Sequence, residues 1–221
     1  MNNKKLFIII VVVLVLAVVA SALYYGLRGN MSQSNTDSMS GMDMSGSTVN
    51  NSFIDTGSDT YKQYAAMSGE MYDRTFIANM VIHHQGAVDM ARMALTNAKH
   101  QELKDMANDI ISAQEKEIAE MSSWYKEWGY PSSDMDDSAM GVMNNMAGMT
   151  TELEGKTGDE FDKAFIEQMI MHHQSAINMA APGEKNAQRQ EVKDLTKAIV
   201  SAQTKEIEQL KKWQQEWGYD N

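Results

Sequence analysis

The chain has 221 residues, a formal charge of -11, 20 methionines, two prolines and no cysteine. The acidic balance excludes nucleic acid as a partner, because phosphate backbones select clustered Lys and Arg, and it favours cations. Without cysteine there are no disulfides, thiolate sites or lipid attachment, so a soft metal would have to be held by Met sulfur and His nitrogen.

Residues 1–28 read as an N-terminal transmembrane anchor or signal segment. Two lysines precede an uncharged apolar run from Leu6 to about Leu27, long enough to span a bilayer. The positive-inside rule then places the remainder outside the cytoplasm, in the periplasm or at the cell surface. Ala20-Ser21-Ala22 also fits a cleavage site, which would make the protein secreted. Residues 29–66 are rich in Ser, Asn, Asp, Gly and Met and predict a disordered tether, with Met39, Met42 and Met44 closely spaced.

Residues 72–130 lie over 161–219 without a gap, and about half of the aligned positions are identical. Each copy is long enough for two helices, so the expected fold is all-α. Two repeated antiparallel helical hairpins, residues 67–130 and 157–221, bury their apolar faces together in a four-helix bundle. Thr157 with Glu160 predicts a capping box at the start of the second copy, with Ser68 as the cap of the first. The first helices carry Phe76, Met80, His83, Ala87 and Met90, and Phe165, Met169, His172, Ala176 and Met179, at alternating four- and three-residue steps. Asn97 and Pro182-Gly183 mark their ends. The second helices run from about 100 to Trp128 and from about 189 to Trp217, stopped by Gly129 and Gly218. Between the hairpins, residues 131–156 form a Met-rich linker in which Met135, Met140, Met143, Met146 and Met149 stand beside Asp134, Asp136 and Asp137.

The apolar stripes of the second helices are interrupted by Gln114 and Glu117, and again by Gln203 and Glu206. Antiparallel pairing about a turn near residue 98 sets His83 opposite Gln114 and Met80 opposite Glu117, and likewise His172 opposite Gln203 and Met169 opposite Glu206. A neutral imidazole donates one ring nitrogen to Glu or Gln and binds a metal with the other. The metal-ligand candidates are therefore Met80, His83, His84, Met90, Met169, His172, His173 and Met179. Gln114, Glu117, Gln203 and Glu206 form the supporting shell. Thioether with imidazole suits Cu(I), while Cu(II) or Zn also fits the nitrogen and oxygen donors. His100 aligns with Arg189 and reads as a solvated turn residue. A competing explanation is that the histidines are hydrogen-bonded core residues fixing helix register, with the methionines as packing.

The segments FIANMVIHHQGAVDMA at 76–91, FIEQMIMHHQSAINMA at 165–180, and IISAQEKEI and IVSAQTKEI with their terminal Trp-Gly-Tyr resemble the ferritin-like bacterial family of domain of unknown function 305, here in tandem. The resemblance implies an exported helical bundle, similar to periplasmic copper binders that assist copper resistance. An iron oxidase would need Glu-x-x-His on two helices, yet Met80 and Val81 precede His83 and His84 by three residues, and Met169 and Ile170 do so in the second copy. The expected role is copper sequestration, or transfer to an accepting protein, rather than catalysis.

Overall fold

The computed structural model describes residues 53–131 and 137–220, all within one unit, Thr48–Asn221. The apolar N-terminal run and the Met39, Met42 and Met44 cluster lie outside the described residues, as does Met135. Among the described residues the fold is all-helical, and no helix is long and apolar enough to cross a membrane.

The helices are α1 (Asp59–Ala65), α2 (Glu70–Asn97), α3 (Gln101–Glu127), α4 (Asp137–Thr151), α5 (Gly158–Ala180), the short α6 (Gly183–Asn186) and α7 (Gln190–Glu216). The two stripes of the first helices are buried without exception, including both histidines of each pair. Each large apolar side chain withdrawn from water in this way contributes roughly 1.5–3 kcal/mol, which is why the stripe decides the helix despite glycine and β-branched residues within it. Hairpin α2–α3 and hairpin α5–α7 meet through α2 and α5. These two run antiparallel, since Ala98 at the end of α2 bridges to Gly158 at the start of α5, and Gly69 bridges to Ala187.

Gly129 and Gly218 adopt φ of 70° and 72° and end α3 and α7 as expected. The amides of Tyr130 and Tyr219 reach back to the carbonyls of Tyr125 and Gln214, closing both ends in Schellman fashion.

The first helices lack the side-chain caps expected from the sequence. Thr157 makes no side-chain cap, and the residue flanking α2 is Gly69 rather than Ser68. The second helices, by contrast, are capped by carboxylates of the other hairpin. Asp73 of α2 accepts the backbone N–H groups of Gln188 and Arg189 at the start of α7, at 3.0 and 2.9 Å. Asp162 of α5 accepts those of Lys99 and His100 at the start of α3, at 2.9 and 3.0 Å. A carboxylate aimed at free N-terminal amides satisfies both the orphan donors and the helix dipole. Exchanged between hairpins, it also locks the two copies together. Burial raises the pKa of Asp73 against these lowering contacts.

His100 departs from its expected role as a solvated turn residue. Its ring stacks on Trp217 at 3.8 Å and 6°, and Nδ1 lies 2.6 Å from Asp162. The aligned Arg189 does equivalent work, with its guanidinium 4.6 Å from the Trp128 ring.

Two stretches read as tether and linker also carry structure. Residues from Phe53 onward, with α1, cover α5: the Asp55 amide donates to Asn178 Oδ1 at 2.9 Å, and Gln174 Nε2 donates to the Phe53 carbonyl. The linker forms α4, which packs along α2 and buries Met146 and Met149 in the same core as Phe161 and Leu210. Each hairpin is therefore covered by the segment that precedes the other.

Candidate metal centre

His83 and His172 occupy the crossing of α2 and α5, and their ring centroids are 3.8 Å apart at 42°. They are aligned residues of the two copies, so the pseudo-twofold axis passes between them. His84 and His173 turn outward from this pair, about 100° further round their helices. His84 Nε2 lies 2.7 Å from Glu117 Oε2 and His173 Nε2 lies 2.8 Å from Glu206 Oε2. The first contact is a hydrogen bond. The second falls within ion-pair distance but is not aligned as one. Both imidazoles are fully buried, whereas the Glu117 and Glu206 side chains retain 22% and 27% of their exposure and connect the layer to solvent.

The expected pairing of Glu117 with Met80, and of Glu206 with Met169, is thus displaced by one helical turn: each carboxylate meets the second histidine of its own hairpin. Gln114 and Gln203 are buried, but their Oε1 atoms have no hydrogen-bond partner, so neither amide oxygen supports an imidazole.

The protonation pattern follows from burial. Desolvation holds the His83 and His172 pKa values well below the usual imidazole value, reinforced by the neighbouring histidines, so both rings are neutral. A neutral imidazole has one N–H donor and one lone pair. His172 Nε2 lies 2.8 Å from the backbone carbonyl of His83, which makes Nε2 the donor and leaves a lone pair on Nδ1. His83 Nδ1 and Nε2, His84 Nδ1, His172 Nδ1 and His173 Nδ1 are all buried without a hydrogen-bond partner. A buried polar atom left unsatisfied costs about 1–3 kcal/mol, so this layer is expensive for a purely structural core and suited to an electrophile that accepts nitrogen lone pairs.

Not every sequence candidate joins it. Met80 and Met169 are fully buried within about one turn of the histidines on their own helices. Met90 and Met179 lie seven residues beyond His83 and His172, about 10 Å further along the helix, and pack in separate apolar clusters. Among the described residues no group of three or more His, Asp or Glu side chains is gathered as a metal cage, so an ion at this layer would be held by fewer imidazoles and by donors of other kinds. A surface groove lined by Ile54, Ala181, Thr196 and Lys197 sits past the end of α5, away from the histidine layer.

The family described as "Domain of unknown function (DUF305)" matches residues 73–214, spanning both hairpins and the whole histidine layer. The chain belongs to the DUF305 family. Among solved structures it is similar to CopM in the Cu(I)-bound form, at 41% identity over 66% of this chain and 96% of that one, with a TM-score of 0.53. CopM in the Cu(II)-bound form is 39% identical over 68% and 99% of the two chains, with a TM-score of 0.57. CopM has also been solved with silver bound. A DUF305 protein from Streptomyces coelicolor is 27% identical over 66% and 94%, with a TM-score of 0.60. No curated protein matches the chain.

Proposed function

We propose that this DUF305 protein binds copper, Cu(I) in preference to Cu(II) or Zn, and holds it as cargo rather than using it in catalysis. The ion is bound at the central layer by the facing pair His83 and His172, with His84 and His173 beside them and Met80 and Met169 as the nearest thioethers along the same helices. The observation that carries this reading is the buried pair of neutral imidazoles, His83 and His172, with ring nitrogens that lack partners where the two repeats cross. Soft donors in a closed apolar setting favour Cu(I). Glu117 orients the His84 imidazole through its hydrogen bond, and Glu206 stands at the same place beside His173.

The similarity to copper-bound CopM supports the same choice of metal. We read the arrangement as a ferritin-like four-helix bundle with α4 in its crossover. The apolar run from Leu6 tethers it to the membrane with the bundle outside the cytoplasm, where it sequesters copper or passes it to an accepting protein.

One observation favours a structural alternative: the His172 contact with the His83 carbonyl already ties α2 to α5 without any ion. Competition titration of the full chain in mild detergent with Cu(I), Cu(II), Zn and Fe(II) separates the two readings. The copper reading expects tight Cu(I) binding that disappears when His83, His84, His172 and His173 are all changed to Ala. Binding unchanged in that variant would move the activity to the Met-rich segments, and no binding at all would leave the structural role.

A further inference from the structure

The pseudo-twofold symmetry around the histidine layer is also broken by the segments that cover it. Gly86 lies on α2 three residues beyond His83, on the neighbouring face of the helix. A Cβ atom at Gly86 would stand 2.7 Å from Met146 Sδ and 2.8 Å from Met146 Cβ and Cγ. The missing side chain is therefore what admits this methionine of α4 against α2. Glycine is disfavoured in a helix interior, and here it permits a contact that alanine would block. The aligned position in the second copy is Ser175, and the segment covering that hairpin brings the Phe53 carbonyl to Gln174 instead of a sulfur.

The methionines of α4 also grade from solvent to core. Met140 is 56% exposed, Met143 is half-buried and Met146 is 5% exposed. Steps of three residues rotate each sulfur about 60° backward around the helix relative to the last, so the row winds from the outer face of α4 to the side resting on α2. It ends against Gly86, three residues along α2 from His83, whose two ring nitrogens have no partner.

We propose that Met146 supplies a thioether ligand to the Cu(I) bound by His83 and His172, and that Met143 and Met140 continue the sulfur donors from this site to the surface as the route by which the ion arrives. The proposal rests on the reading of the histidine layer as the copper site. It makes the centre unsymmetrical, with two imidazoles shared by the repeats and one sulfur contributed from the crossover. A thioether matters to Cu(I) and little to Cu(II), which is content with nitrogen and oxygen.

The test compares the wild-type full chain with Met146→Leu and, as a packing control, Met106→Leu, a partly buried methionine of α3 against the same core. Leu conserves the volume and apolar character of Met, so the fold is retained. Expected for Met146→Leu is Cu(I) affinity weakened by about tenfold or more, equivalent to about 1.4 kcal/mol, with Cu(II) affinity and the thermal midpoint unchanged. Met106→Leu should match wild type throughout.

A second measurement needs no variant: on adding Cu(I) to the wild type, the assigned Met146 methyl resonance shifts together with the His83 and His172 ring protons. Equal Cu(I) affinity in Met146→Leu and wild type, or a Met146 methyl that stays in place while the imidazoles shift, overturns the proposal and leaves the histidine site intact. Cu(I) binding that survives His83→Ala with His172→Ala overturns the histidine reading and this one together.

Discussion

The two repeats are alike where they hold each other and differ where other segments cover them. Asp73 and Asp162, 89 residues apart, each cap a helix of the opposite hairpin, and His84 and His173 each meet a glutamate of their own hairpin. Around this shared frame, Gly86 faces Met146 where the other copy has Ser175, and His100 stacks on Trp217 where the other has Arg189 over Trp128. The duplicated contacts build a symmetric scaffold; the divergent ones give its central layer two different sides. An ancestral pair of identical hairpins would offer an ion equal surroundings from both directions, and this chain does not.

The largest effect should come from the shared interlock. Asp73→Ala strips acceptors from two backbone N–H groups at the start of α7, and Asp162→Ala does so at the start of α3, each costing roughly 2–4 kcal/mol. Asp162→Ala should be the worse of the two in urea unfolding, because its carboxylate also meets His100 Nδ1. Negligible losses would show that the hairpins are not held by their exchanged caps, and equal losses that the His100 contact adds nothing to them. Next comes the asymmetry: Gly86→Ala should cost about 1–3 kcal/mol by driving a Cβ into Met146, whereas Ser175→Ala at the aligned site should stay within about 0.5 kcal/mol. A thermal scan of the pair suffices, and matching values would erase the distinction between the two faces.

The smallest effect is the response of the metal-free protein to acid. The folded pKa values of His83 and His172 are depressed, so below the ordinary imidazole value near 6.5 the unfolded chain binds more protons than the folded one. Stability is complete above that pH and declines as the pH falls through the window down to the folded values, by roughly 1 kcal/mol per pH unit for each histidine. Melting the wild type and a His83→Gln, His172→Gln variant between pH 7.5 and 5.5 should show a slope in the first that flattens in the second. A flat wild-type profile would mean that these imidazoles take up protons in the folded state without penalty.

Much of this molecule is legible in its sequence, for identifiable reasons. The 3.6-residue stripe from Phe76 to Met90 and its copy fix both first helices and place both histidine pairs inside. Gly129 and Gly218 end the second helices because a left-handed residue is needed there. The capping carboxylates were hidden because Asp73 and Asp162 look like ordinary acidic residues near a helix's N-terminus, and nothing local says that they serve a helix from the other copy. The one-turn displacement that joins Glu117 to His84 depends on how the helices cross, which a turn centred near residue 98 does not determine. α4 escaped notice because Gly, Asn and Met residues there suggest a linker, and its helix is stabilised largely by burial of Met146 and Met149 against the bundle rather than by local preference. That His100 departs from the repeat was visible; that Trp217 would stack on it was not.

The most direct test of the central claim is the imidazole proton spectrum of the full chain, in mild detergent, during addition of Cu(I). The chain has five histidines, and four of them form the layer. The account predicts that the His83 and His172 signals shift first and together, that those of His84 and His173 follow within the same equivalents, and that His100, stacked on Trp217, stays where it was. Saturation of the protein with Cu(I) while all five imidazole signals remain unmoved would contradict it.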